Sequence, residues 1–209
     1  MVVNKTQELD KITEDIIADD VCPDLRGGAT QLVPGSGNPD SDILFIGEAP
    51  GKKEDETGVP FVGAAGKFLD VMLESIDMDR EDVFITNIVK YRPPDNRDPL
   101  PAEISAFMPY LIRQLAVIRP KVVVTLGRFS MNVFLPNDKI GHIHGQPQRI
   151  DLSIREDLGD LQTIDIPKEQ IVLMPLYHPA AALYNGGQRE VLLEDFSQIP
   201  RLLEEISRQ

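Results

Sequence analysis

The apolar, β-branched run at residues 83–89 carries an asparagine near its end, in "NIVKYRPPDNRDP", where Lys90, Tyr91, Arg92 and two prolines follow. A buried primary amide needs hydrogen-bond partners. Asn87 therefore meets either a neighbouring turn or a ligand that offers a donor and an acceptor side by side, the complement of an amide. "GEAPG", residues 47–51, follows another apolar run. Glycines let backbone approach a ligand closely, and such a turn can aim N–H groups inward; the alternative is a plain turn with Glu48 on the surface. Phe61, in "GVPFVGAAGKFL", stands between glycines. It is either core or an accessible platform on which a flat ring can stack. His178, in "YHPAAALYNGG", closes a further apolar run and is either structural or functional. His142 and His144, in "GHIHGQP", have the spacing of a metal pair but no accompanying ligands, and they read as loop.

The elements that must hold these residues follow from periodicity. Residues 6–19 have apolar positions near helical spacing, at Leu9, Ile12, Ile16 and Ile17. Residues 21–41 are rich in Gly, Pro and Ser and predict an extended loop. "SDILFIG", "DVFITNIV", "KVVVTLG" and "QIVLMPLYHP" predict four strands. Between them, "GAAGKFLDVMLESI", "LPAEISAFMPYLIRQLAVIRP" and "RFSMNVFL" predict helices, the second opened by Pro101 and closed by Pro120. Residues 137–168 read as a polar excursion with short strand pieces, and "EDFSQIPRLLEEISRQ" as a terminal helix broken at Pro200. Strands that are almost continuously apolar and alternate with helices predict a parallel sheet covered on both faces, an α/β fold of three α/β/α layers. Such sheets bind ligands at the carboxyl ends of their strands. "GEAPG", the Asn87 segment, "GR" at 127–128 and "HP" at 178–179 all fall at those ends. Residues 1–209 are expected to form one domain.

Composition limits the function classes. The chain has 209 residues, 42% of them hydrophobic, enough for one full core. No apolar run approaches the ~20 residues needed to span a bilayer, so no membrane partner is expected. The acidic, amphipathic start lacks the basic-then-apolar order of a signal peptide. The single cysteine, Cys22, excludes an internal disulfide and a four-thiolate metal site; a reduced, cytoplasmic monomer is the expectation. A net charge of −13 taken alone opposes a nucleic-acid partner. Local field decides binding, however, and Lys90, Arg92, Arg97, Arg113, Arg119, Lys121 and Arg128 cluster in the middle of the chain.

"VPGSGNPDSDILFIGEAPGKKEDETGVPFVGAAGKFL", "VFITNIVKYRPPDNRDPLPAE", "RPKVVVTLG" and "HPAAAL", spanning most of residues 33–183 in order, resemble the family 4 uracil-DNA glycosylases. The resemblance implies a four-stranded parallel sheet flanked by helices. It implies hydrolysis of the N-glycosidic bond of uracil in DNA, leaving an abasic site for base excision repair, with no metal or organic cofactor in the chemistry. By the same resemblance Asn87 reads a flipped-out uracil, donating to O4 and accepting from N3–H, where cytosine presents the reverse polarity. Phe61 stacks on the base, Gly47 and Pro50 belong to the base-binding turn, and Glu54 crowds C5 against thymine's methyl. His178 and the backbone of the Glu48–Ala49 turn face O2, where charge develops. Ala49 stands where family 1 enzymes carry an aspartate, so Glu48 only orients the water. Leu183 or Tyr184 wedges into the duplex, and Lys90 and Arg92 serve phosphate contacts.

The chain departs from that family at one place. Family 4 enzymes usually hold a [4Fe–4S] cluster on four cysteines, and the matching positions here are Asp19, Cys22, Tyr91 and Phe107. One thiolate cannot hold a cluster, so none is expected, and Tyr91 and Phe107 are expected to fill its volume. Two other readings compete: a non-catalytic binder of uracil-containing DNA, and a metal-dependent nucleotide hydrolase using Glu48, Glu54 and Asp55. A covalent uracil-binding relative would carry a histidine-containing loop, which "KYRPPDNRDP" lacks.

Overall fold

A computed structural model describes residues 4–150 and 171–208. In chain order the elements are α1 (Lys5–Ala18), α2 (Pro23–Gly28), β1 (Ser36–Gly37), β2 (Ile43–Gly47), α3 (Lys52–Thr57), α4 (Ala64–Glu74) and β3 (Phe84–Asn87). A 3₁₀ turn at Pro94–Asn96 precedes α5 (Pro101–Ile118), β4 (Val122–Leu126), α6 (Arg128–Phe134), α7 (Ile140–Ile143) and β5 (Gln148–Ile150). Last come β6 (Ile171–Leu176), α8 (Ala181–Tyr184), α9 (Gly186–Phe196) and α10 (Ile199–Ser207).

The strand order is β1-β3-β2-β4-β6-β5. The four strands read from sequence are present, adjacent and parallel, with every residue of each buried. The sheet nonetheless has six strands rather than four, because β1 and β5 add antiparallel at its two edges. Two and three residues are too few to show a period of two, and Gly37 sits so close to Val83 that a Cβ would overlap its carbonyl oxygen.

Alternate side chains of each strand point to opposite faces. Leu44, Ile46, Phe84 and Val123 pack with Leu9, Ile12 and Ile16 of α1 and with Leu111, Ile112 and Leu115 of α5. Ile43, Phe45, Ile85 and Val124 pack with Phe68, Leu69 and Met72 of α4 and with Leu192 and Phe196 of α9. That gives the three expected layers.

Several local elements differ from, or add to, those expected. The stretch at 21–41 contains α2 and β1, and "GKKEDET" forms α3. The terminal helix is two helices that part at 197–198, and Pro200 lies in the first turn of α10, where its missing N–H costs nothing. A short helix, α8, follows His178. The excursion expected at 137–168 includes α7 and β5, and its residues 151–168 lie outside the described residues.

Candidate active site

Glu48, Glu54, Phe61, Asn87 and His178 line one pocket of about 390 Å³ at the carboxyl ends of β2, β3 and β6. Asn87 is the last residue of β3 and lies opposite Gly47, the last of β2. A Cβ on Gly47 would overlap Asn87 Oδ1 and stand 2.6 Å from the Phe61 ring, so only glycine lets amide and ring meet over the strand end. Asn87 is 2% exposed, and among the described residues its side-chain amide makes no hydrogen bond to protein. Of the two readings open in the sequence, the neighbouring turn does not supply its partner.

Phe61 adopts φ +54°, a left-handed conformation rare for an aromatic residue. Two interactions hold it there. Arg80 donates Nη1–H to Pro60 O (3.1 Å) and Nη2–H to Phe61 O, and is itself anchored by Nε–H to Asp70 Oδ1 (2.6 Å). Gly66 of α4 also runs so close that a Cβ would overlap Phe61 O. The Phe61 ring faces His178, with centroids 5.7 Å apart and planes 29° apart. Phe61 is thus buried and pocket-lining at once.

His178 is half-buried at the mouth of β6. Its Nδ1 accepts the N–H of Ala180 (3.1 Å), which places the ring proton on Nε2. Burial pushes its pKa down to about 4, against a smaller opposing pull from the Glu54 carboxylate. The imidazole is therefore a neutral donor at neutral pH. Glu48 is half-buried, and its pKa is pushed up to about 7, chiefly by burial and further by the charge of Asp98, while Arg128 opposes. Ala49 beside it offers no side-chain base.

Glu54 does not point freely into the pocket. Its Oε1 accepts the N–H groups of Val62 (2.9 Å) and Gly63 (2.8 Å), holding the loop that enters α4. Asp55 accepts from Thr30 N (2.8 Å) and Thr30 Oγ1 (2.9 Å). Two of the three carboxylates invoked for a metal-dependent hydrolase are committed to loops. His144 is likewise committed, through Nδ1 to Asp195 Oδ2 at 2.7 Å, while His142 is exposed. Among the described residues no group of three or more His, Cys, Asp or Glu gathers around a common point.

Lys90 overturns its expected place on the phosphate-binding surface. It is 0% exposed, with Nζ inside the protein against Thr86 Oγ1, the Asn87 carbonyl and Gln114 Oε1. Its ammonium cannot reach a phosphate. Arg92 remains half-exposed and donates Nε–H to Asn96 Oδ1 (2.8 Å). Leu183 and Tyr184 close α8 and protrude, 43% and 91% exposed. Pro50 is buried in the turn after β2.

The four positions matching cluster ligands do not fit a [4Fe–4S] group, which needs four thiolates. Asp19 accepts the Tyr110 hydroxyl (2.6 Å), and Cys22 is half-buried, its thiol pKa raised chiefly by burial. Tyr91 and Phe107 are 4% and 0% exposed and meet edge to face, with centroids 6.0 Å apart. Both rings point inward. Sequence reasoning missed Arg80, Thr86 and Gln114, whose roles arise from contacts 19 to 28 residues away along the chain.

Residues 34–199 match the family model described as the Uracil DNA glycosylase superfamily. A type-4 uracil-DNA glycosylase of Sulfurisphaera tokodaii is 46% identical over 195 residues, covering 93% of this chain and 84% of that protein. One of Archaeoglobus fulgidus is 43% identical over 201 residues, 94% of each chain. One of Thermotoga maritima is 39% identical over 181 residues, 85% of each. With the parallel sheet and the strand-end pocket, these similarities place the chain in the uracil-DNA glycosylase superfamily, to which it belongs.

Proposed function

We propose that the protein hydrolyses the N-glycosidic bond between uracil and deoxyribose in DNA, releasing uracil and leaving an abasic site. One observation carries the reading. An unpartnered asparagine amide, an aromatic ring and a neutral imidazole donor share one pocket at the strand ends. A buried base must first leave the stack. The protruding Leu183 and Tyr184 are the side chains available to fill the gap. In the pocket uracil lies against Phe61. Asn87 Nδ2–H donates to O4 and Oδ1 accepts from N3–H, and cytosine would leave both groups mismatched, a penalty of several kcal/mol. The Glu54 carboxylate and Gly63 bound the side of the base.

As the C1′–N1 bond breaks, its electron pair stays on N1 and is shared with O2. His178 Nε2–H donates to O2 in that state. A neutral imidazole keeps its proton while stabilising the charge, and a preorganised donor of this kind contributes about 10²–10³ in rate. Water adds to C1′ of the cation-like sugar and loses its proton to solvent or to Glu48. With Ala49 in the turn, no second carboxylate assists. The reaction proceeds without an iron–sulfur cluster, since three of the four ligand positions lack a thiol and two of them are buried rings.

A single-turnover assay on a uracil-containing oligonucleotide in EDTA tests the reading. Alkali-labile cleavage at uracil is expected, reduced about 10²–10³-fold in His178→Ala and similarly in Asn87→Ala. Binding of uracil-DNA without cleavage would favour a non-catalytic binder instead.

A further inference from the structure

Lys90 is a buried amine for which the reaction above has no use, and burial pushes its pKa well below the ordinary lysine value. Its Nζ has three oxygen neighbours, Thr86 Oγ1 at 2.6 Å, Asn87 O at 2.7 Å and Gln114 Oε1 at 2.7 Å. The three oxygens surround the amine and fix where its protons point. Thr86 Oγ1 and Gln114 Nε2 in turn each donate to Pro34 O at 2.8 Å, so each acceptor's orientation is fixed by a further bond.

The need for a donor here follows from the sheet. Ile88 N–H bonds Gly47 O on the β2 side, so the strand's alternation turns the Asn87 carbonyl toward β1. But β1 reaches only Ser36 and Gly37, opposite Ile85 and Phe84. The chain beside Thr86 is Pro34, which has no N–H to give. The Asn87 carbonyl would be left bare in the interior, a costly state for a polar group. Lys90 folds back three residues and supplies the missing donor.

We propose that Lys90 is a positioning residue for base recognition: its Nζ clamps the backbone carbonyl of Asn87 to Thr86 and Gln114 and thereby fixes the direction of the Asn87 amide. The inference rests on the proposed reading of Asn87. A purely stabilising role predicts something different, because a loss of folded protein slows cleavage by the same factor whether or not the Asn87 amide is present.

The test is a double-mutant cycle under single-turnover conditions, with enzyme in excess so that slow rates are readable. Lys90→Met retains length and volume. At a temperature where it stays folded it is expected to cleave uracil about tenfold or more slowly, whereas in an Asn87→Ala background it changes the rate by less than about twofold. Inhibition by free uracil should weaken along with the rate. A wild-type rate in Lys90→Met, or the same fold loss in both backgrounds, overturns the proposal. If Lys90→Met does not fold, Gln114→Leu removes one acceptor from α5 and enters the same cycle with the same expectations. A wild-type enzyme that does not cleave uracil would sink the functional reading itself. An active enzyme with an additive cycle would sink only the role of Lys90.

Discussion

Asn87, His178 and Glu48 have different surroundings, and the proposed function gives them different roles. Among the described residues the Asn87 side-chain amide has no hydrogen-bond partner, and it lines the pocket. In Asn87→Asp a carboxylate offers acceptors only, so the contact to O4 is lost; uracil cleavage should drop by about 10² or more, measured as kcat/KM. Glu48, at about 7, and His178, at about 4, titrate on opposite sides of their ordinary values of 4.5 and 6.5. If the Glu48 carboxylate orients water, the rate rises with pH and levels above about 7, and Glu48→Gln flattens that profile. The stability signs follow. Between 4.5 and about 7 the folded state keeps a Glu48 proton that the unfolded chain has lost, so this contribution falls as pH rises. Between about 4 and 6.5 the unfolded chain holds the extra His178 proton, so that contribution rises with pH. The slopes oppose where they overlap, and Glu48→Gln should expose a stability that climbs with pH up to 6.5 in denaturant titrations. These residues were legible because each is the wrong type for a strand end that needs only to fold. Lys90 was not, since a lysine beside polar residues carries no local mark of burial. Its burial depends on Gln114 and Pro34.

At the scale of elements, the loop after β3 and the start of α5 are joined by Tyr91 and Phe107, both inside the same core as α1. Tyr110 and Arg113 of α5 add bonds to Asp19 and Asp15 at 2.6 Å each. This packing stands where the resemblance to family 4 puts the expected cluster-ligand positions, Tyr91 and Phe107 among them. Phe107→Ala leaves a cavity beneath Tyr91 and should destabilise the fold by about 3–5 kcal/mol, read from denaturant midpoints at unchanged slope. The rate at saturating enzyme should change little, because neither ring lines the base pocket. The long elements were legible from periodicity: β2, β3, β4, β6, α4 and α5 fall where the apolar spacing puts them. The short ones were not. β1 and β5 exist only by pairing to a finished neighbour, and α3 holds a run of charged residues with no apolar stripe, its two buried members, Glu54 and Asp55, tied to loops rather than to core. Phe61's backbone was hidden for the same reason, since Arg80 and Gly66 enforce it from outside the segment.

At the scale of the molecule, a net charge of −13 must coexist with a polyanionic substrate. Acids crowd the first twenty residues, with Glu8, Asp10, Glu14, Asp15, Asp19 and Asp20, and residues 70–82, with Asp70, Glu74, Asp77, Asp79, Glu81 and Asp82. The strand-end segments carry Lys52, Lys53, Arg92, Arg97 and Arg128 beside Glu48, Glu54, Asp55, Glu56, Asp95 and Asp98, five cations against six acids, so their charges come close to balancing. Several of the cations are already paired, Lys53 with Glu56 at 2.8 Å and Arg128 with Asp98 at 3.1 Å. Few are left to release counterions. The slope of log affinity against log salt should therefore stay shallow, on the order of two to four, with shape and base contacts carrying more of the binding. Net charge read from sequence could not reveal this, because it sums over faces that never meet DNA. The central claim, a glycosylase that works without a cluster, is tested most directly by assaying iron and acid-labile sulfide on the same preparation that is timed on uracil-containing DNA. Full turnover with iron far below one atom per chain is the predicted result. Activity that tracks iron content, and is lost when iron is stripped, would contradict it.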